Sequence, residues 1–141
     1  MSSATPLVRK ALILAPGRGR SYPMGRMRAV FIADTAETDS RYSVSEWWLD
    51  PNTQGPGNHA HPEDHVFYVI EGTVSIVIDG ESSHAVRGTY ALIPGGIPHT
   101  FENRGTVRCG FISLNVPGGF ELAMPGIAQW LATNPLGDAG A

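Results

Sequence analysis

The chain has 141 residues, 42% of them hydrophobic and 16% charged, with 17 glycines, 11 prolines and a net charge of −3. That is enough apolar chain for one globular domain with a core of its own. The lack of a basic block disfavours nucleic acid as a partner, a lone cysteine excludes an internal disulfide, and no run of apolar residues is long enough to span a membrane.

The run at residues 11–15 is too short for a signal-peptide core, so a cytoplasmic home is expected. Residues 7–14 predict a first strand, ended by Pro16-Gly17, and residues 18–25 a polar surface loop. Residues 27–33 alternate well enough for a second strand, and a polar link covers 34–39. A third strand, rich in aromatics, is expected over 41–49. It carries Glu46. On an inner face that carboxyl is a candidate acid or base, because burial raises its pKa. On the outer face it is a solvated charge or an interface partner, and parity leaves both open.

Residues 50–58 form a Gly/Pro/Asn turn region ahead of predicted strands at 65–70 and 73–78, which meet at Glu71-Gly72. Both strands are nearly continuously apolar, the pattern of strands covered on two faces. A short strand at 84–87, another at 89–93, the segment 97–101 and a strand at 107–116 follow. Cys109, in the last of these, is expected to be a small buried hydrophobe. Pro117-Gly118-Gly119 breaks the pattern before a short helix over 126–132, packed outside the strands, and a tail from 134. Many short strands between Gly/Pro turns predict an all-β fold, a double-sheet jelly-roll barrel over about residues 27–117, because closure removes exposed strand edges.

The densest chemistry lies in His59-Ala60-His61-Pro62-Glu63-Asp64-His65, which holds three of the chain's five histidines. In extended backbone, side chains at i and i+2 leave the same face, so His59 and His61 point together. His65 has the same parity and joins them where residues 62–64 preserve the face. Neutral imidazoles clustered in this way are ligands for zinc, iron, nickel or copper.

Further along, Gly88, Pro94, Gly96, His99 and Asn103 meet every fixed position of Gly-x5-Pro-x-Gly-x2-His-x3-Asn. This pattern resembles the second motif of the cupin superfamily. Residues 59–72 resemble the first, Gly-x5-His-x-His-x3,4-Glu-x6-Gly, at His59, His61 and Gly72. Two positions depart from it: Thr53 stands at the opening glycine, and His65 at the glutamate. The resemblance implies a jelly-roll fold and one divalent transition metal, Fe, Zn or Ni, held by His59, His61, His65 and His99. Glu63 is a reserve ligand, and Asn103 ties the turn that follows it. A four-imidazole shell adds no negative charge, which favours a Lewis-acid centre that attracts an oxygen ligand.

The expected function is therefore a metal-dependent enzyme acting on a small, mostly apolar, oxygen-bearing molecule. It is either a dioxygenase with iron or an isomerase, cyclase or lyase with zinc or nickel; a non-catalytic binding domain is the alternative. Trp48, Phe67, Val69, Phe101 and Phe111 are candidate walls of the substrate pocket. Arg28 and Tyr42 are candidate polar anchors, and Glu46 completes the expected catalytic set. A homodimer sharing sheet faces is expected, with the strand at 7–14 crossing to the partner.

Overall fold

The computed structural model describes residues 10–140. Nine strands alternate along the chain: β1 (Arg20–Met24), β2 (Met27–Ala33), β3 (Ser43–Leu49), β4 (Asp64–Glu71), β5 (Thr73–Ile78), β6 (Glu81–Val86), β7 (Tyr90–Ile93), β8 (His99–Glu102) and β9 (Cys109–Val116). A single helical turn, α1 (Thr35–Thr38), links β2 to β3, and a 3-10 turn at Phe120–Ala123 leads into α2 (Met124–Thr133). The strands form two antiparallel sheets, one ordered β1-β2-β3-β9-β4-β7 and the other β6-β5-β8. The fold is thus all-β and jelly-roll-like, with a short C-terminal helix. No helix among the described residues is long and apolar enough to cross a membrane.

Alternation decides what each strand buries. In β3, Ser43, Ser45, Trp47 and Leu49 are buried while the residues between them are only partly covered. In β4 the buried set is His65, Phe67 and Val69. These faces meet Val74, Ile76 and Phe101 of the smaller sheet in one apolar cluster. Burial of each such side chain contributes about 1.5–3 kcal/mol. Edge-to-face contacts, such as Trp47 with Phe101 at 5.8 Å and Phe101 with Phe111 at 4.8 Å, fix the rings against one another. Cys109 is fully buried among them, and burial pushes its thiol up to about 12.

Several local expectations are corrected. Residues 10–14 form no strand, and Leu12, Ile13 and Leu14 are exposed; residues 7–9 of the expected strand lie outside the described residues. The expected loop at 18–25 contains β1, which pairs with β2 in full register. Its Arg, Ser and Pro content is that of a sheet edge, where one side of the backbone needs no partner. The outer face of β4 is not fully covered, since Tyr68 is 47% exposed. The expected tail folds back onto the turn before the histidines. Gln54 N donates to Gly137 O at 2.9 Å, Arg26 pairs with Asp138 at 2.9 Å, and Ala139 is buried.

Two glycines allow the close backbone approaches that set the histidine segment in place. A Cβ on Gly55 would stand 1.5 Å from the Phe101 carbonyl oxygen, and one on Gly95 would stand 2.1 Å from that of Pro62. Thr53, at the position where the motif has glycine, instead bridges to Asn103. The Asn103 amide donates to the carbonyls of Leu49, Asp50 and Val107 and accepts from Gly105 N, so it clamps the turn after β8 as expected.

Candidate metal centre

His59 and His99 face each other across a hydrogen-bonded antiparallel pair: each backbone N–H donates to the other's carbonyl, at 3.0 and 2.8 Å. Residues paired in this way project to the same face. His61 follows His59 by two residues and keeps that face, and its carbonyl accepts from Gly96 N at 2.7 Å. His65 arrives separately, at the start of β4, opposite Ile93 of β7 and Asn115 of β9. Four rings from three chain segments therefore converge. The His99 ring centre is 4.6 Å from that of His59, 5.7 Å from His61 and 5.2 Å from His65. The fifth histidine, His84, lies on β6 and contacts Ser75 Oγ at 3.2 Å, apart from the cluster.

The ring nitrogens have assigned tasks. His59 Nδ1 donates to Gly57 O at 2.6 Å and His99 Nδ1 to Ile97 O at 2.9 Å. A carbonyl only accepts, so in the neutral ring Nδ1 carries the proton and Nε2 is left with a free lone pair. His61 Nε2, His99 Nε2 and both nitrogens of His65 are buried without any partner. Burial, followed by the neighbouring rings, lowers the pKa of His61 to about 4 and that of His65 to about 3. Burial also lowers that of His99, against the opposing pull of the Ile97 carbonyl. The three rings are thus neutral at pH 7, the state that binds a cation.

Two overlapping groups have the spacing to hold a divalent metal. One nitrogen each from His59, His61 and His99 lie within 4.8 Å of one another, as do donor atoms of His61, Glu63 and His65. His65 joins the cluster through His61, the two rings being stacked at 4.8 Å. The chemistry of the donors fits a transition metal and not Mg²⁺ or Ca²⁺, which take oxygen ligands.

The cluster lies at the wall of a cavity of about 440 Å³. Of the expected wall residues, Phe67, Phe101 and Phe111 line it. Trp48 and Val69 do not. Val69 is fully buried elsewhere in the core, and Trp48 faces outward, with the Arg108 guanidinium 4.4 Å above its ring. Glu46, Arg28 and Tyr42 do not reach the cavity either. Glu46 shares the outer face of β3 with Trp48 and accepts its indole N–H at 3.3 Å. Arg28 stands opposite Trp48 on β2 and is exposed, and the Tyr42 side chain is 37% exposed.

Residues not anticipated complete the walls. Trp47, one position from the expected Trp48, turns inward, and its indole N–H donates to Ser45 Oγ at 2.9 Å. Phe120, Ile127 and Trp130 cap the cavity from the C-terminal segment. Ser113 lines it from β9. The buried alternation of Ser43, Ser45 and Leu49 carried the parity signal for Trp47; only tertiary packing reveals the cap.

Comparison with known proteins agrees with this architecture. Residues 45–115, half of the chain, match the cupin domain family. A quercetin 2,3-dioxygenase of Bacillus subtilis (strain 168) is 28% identical over 102 residues, which are 69% of this chain and 29% of that enzyme. The HTH-type transcriptional regulator PuuR of Escherichia coli (strain K12) is 33% identical over 70 residues, 50% of this chain and 38% of the regulator. The chain therefore spans about a third of the length of these curated relatives. Among solved structures, the polyketide cyclase RemF from Streptomyces resistomycificus superposes with a TM-score of 0.65 at 22% identity, covering 76% of this chain and 80% of RemF. With its histidine segment and its second-motif turn both inside the matched region, the chain belongs to the cupin domain family.

Proposed function

We propose that the protein is a metal-dependent cupin enzyme that acts on a small, flat, oxygen-bearing organic molecule by non-redox chemistry of the isomerase, cyclase or lyase type. The observation that carries this reading is the convergence of His59, His61, His65 and His99, the last three with buried unpartnered nitrogens, on one side of an aromatic cavity. Zinc or nickel held by these rings would supply a Lewis acid that polarises a carbonyl oxygen. The protein's own part is to bind and orient. Trp47, Phe67, Phe101, Phe111, Phe120 and Trp130 offer ring faces to a planar substrate. The cap formed by Phe120 and α2 screens the reacting atoms from water. The resemblance in fold to a polyketide cyclase is in keeping with this reading.

Two other readings have a specific observation behind them. The match to a quercetin 2,3-dioxygenase favours iron and O₂. The match to a transcriptional regulator favours a binding domain without chemistry. Metal analysis of untagged protein, followed by oxygen uptake with a panel of β-diketones, catechols and flavonols, separates them. The expected result is zinc or nickel as isolated, and no oxygen uptake even when the protein is fully loaded with iron. Oxygen consumption by the iron form refutes the non-redox reading.

We also propose a homodimer. Tyr68, Tyr90, Leu92 and Val116 leave an exposed apolar surface on the outer face of the larger sheet, which suits a second copy of the same face.

A further inference from the structure

Among the described residues, and apart from the four histidines, Ser113 is the one residue lining the cavity whose side chain bears a hydroxyl, amide or charged group. It is 3% exposed, on the inward face of β9 between Phe67 of β4 and Ser45 of β3. Its hydroxyl is already committed: Ser113 Oγ–H donates to Asn115 Oδ1 at 3.0 Å, inside the protein. Asn115, itself 1% exposed, stands directly across from His65. Cross-strand neighbours of this kind have Cβ atoms roughly 5 Å apart. The Ser113–Asn115 pair therefore lies beside the imidazole cluster, on the strand next to it.

A buried polar pair in an apolar wall is costly unless its hydrogen bonds are made. Here one bond is made within the pair. A hydroxyl has one proton and two lone pairs, so with its proton given to Asn115, Ser113 can only accept. Among the described residues, the only other side-chain acceptors lining the cavity are the ring nitrogens of the histidine cluster.

We propose that Ser113, oriented by Asn115, is a specificity-determining residue. It accepts a hydrogen bond from a hydroxyl on the substrate, while a second oxygen of the same molecule faces the histidines. The substrate class that follows is a planar aromatic compound with a chelating keto–hydroxyl edge and a further free hydroxyl. The place of the chelating edge rests on the metal-centre reading; the hydroxyl contact does not. A bare aromatic ketone fills the same walls but leaves Ser113 unpaired, as does a methyl ether, which brings a group with no proton to give.

The test is a fluorescence titration of zinc-loaded protein with 3-hydroxyflavone, its 5-, 6-, 7- and 4′-hydroxylated derivatives and their methyl ethers. One hydroxylated derivative is expected to bind about tenfold tighter than the parent, the effect of one well-made hydrogen bond in a closed site. Its methyl ether loses that gain. In Ser113→Ala the gain disappears while the affinity for 3-hydroxyflavone is unchanged, and Ser113→Cys, which keeps the volume with a poor acceptor, behaves the same way. Thermal unfolding of each variant confirms that it is folded. The proposal is overturned if no derivative gains, if none of the series binds, or if the gain survives in both variants. Zinc content is measured on the same samples. Protein that holds no zinc but keeps a Ser113-dependent gain loses the metal reading and retains this one; zinc bound without any gain does the reverse.

Discussion

Removing the His65 ring should flatten the pH dependence of stability of the metal-free protein. The ring is 4% exposed and both of its nitrogens lack partners. Its pKa is lowered to about 3, by burial first and then by His61, His99 and His59. A histidine in the unfolded chain titrates near 6.5. Between those two values the unfolded chain binds a proton that the folded protein refuses, so stability falls as the pH drops below about 6.5. From pH 7 to pH 5 the unfolded ring goes from about one quarter to almost fully protonated while the buried ring stays neutral. Integrated over that window, this single site costs about 2 kcal/mol. The assay is urea unfolding of chelator-treated protein at pH 7 and pH 5, wild type beside His65→Leu. All other titrating groups are shared, so wild type should lose about 2 kcal/mol more than the variant. At pH 7 the variant should also be the more stable of the two, because leucine leaves no unpaired nitrogens in that space. Equal losses in the two proteins would refute the burial of a neutral, unpartnered ring at this position.

The remaining expectations concern the metal, the cap, the turn and the oligomer. His61→Ala should lower bound zinc from one equivalent to less than about a tenth under competition with a chelator, whereas His65→Glu should retain it, as read by elemental analysis; unchanged metal in the first variant would remove His61 from the ligand set. Trp130 lines the cavity yet is 57% exposed. Trp130→Ala should therefore weaken 3-hydroxyflavone binding about tenfold with unfolding free energy changed by no more than about 0.5 kcal/mol. Gly55→Ala forces a Cβ to within 1.5 Å of the Phe101 carbonyl, and should cost roughly 3 kcal/mol or more in urea unfolding. Tyr68→Lys with Tyr90→Lys should shift the protein from dimer to monomer in sedimentation, and an unchanged mass would remove the outer sheet face as the contact.

Period-two chemistry made much of this molecule readable. His59 and His61 had to share a face once the backbone was extended, and the inward set of β4, from His65 to Val69, follows from the same rule. The second-motif turn was equally plain, because Gly95, Gly96 and Asn103 leave little choice of backbone there. Parity failed where both faces of a strand mixed polar and apolar residues. In β3 one face reads Ser, Ser, Trp, Leu and the other Val, Glu, Trp. Parity left the face of Glu46 open, and naming Trp48 as a pocket wall favoured the second face and left Trp47 out. β1 was missed for a related reason, since an edge strand bears the residues of a loop. The cap of Phe120, Ile127 and Trp130 was beyond the sequence for a different reason. Its helix was visible, but which wall it covers is settled by contacts made only after the sheets have formed.

The polar interior of this cavity bears on what the fold is for. In its wall His61 Nε2, both nitrogens of His65 and His99 Nε2 are buried and unpartnered among the described residues, as is Ser43 Oγ on β3, which does not line it. Each such group costs about 1–3 kcal/mol relative to a satisfied or apolar replacement, and a domain's whole stability is only about 5–15 kcal/mol. Had packing alone been at stake, leucine or phenylalanine would fill the same positions, as they do at Leu49 of β3 and Phe111 of β9. Most of the deficit is concentrated at three imidazoles whose neutral state is enforced by the same burial that makes them costly. One water satisfies at most a few of these lone pairs, and only as a donor of two protons. A divalent cation held by His59, His61 and His99, whose donor atoms lie within 4.8 Å of one another, would satisfy several of these lone pairs at once, and its binding energy would add to the folded state alone. On the proposed metal reading, the instability of the empty cluster and the affinity of the filled one would be two sides of a single arrangement. Substitutions that relieve the first, such as His65→Leu, should erode the second in the same protein.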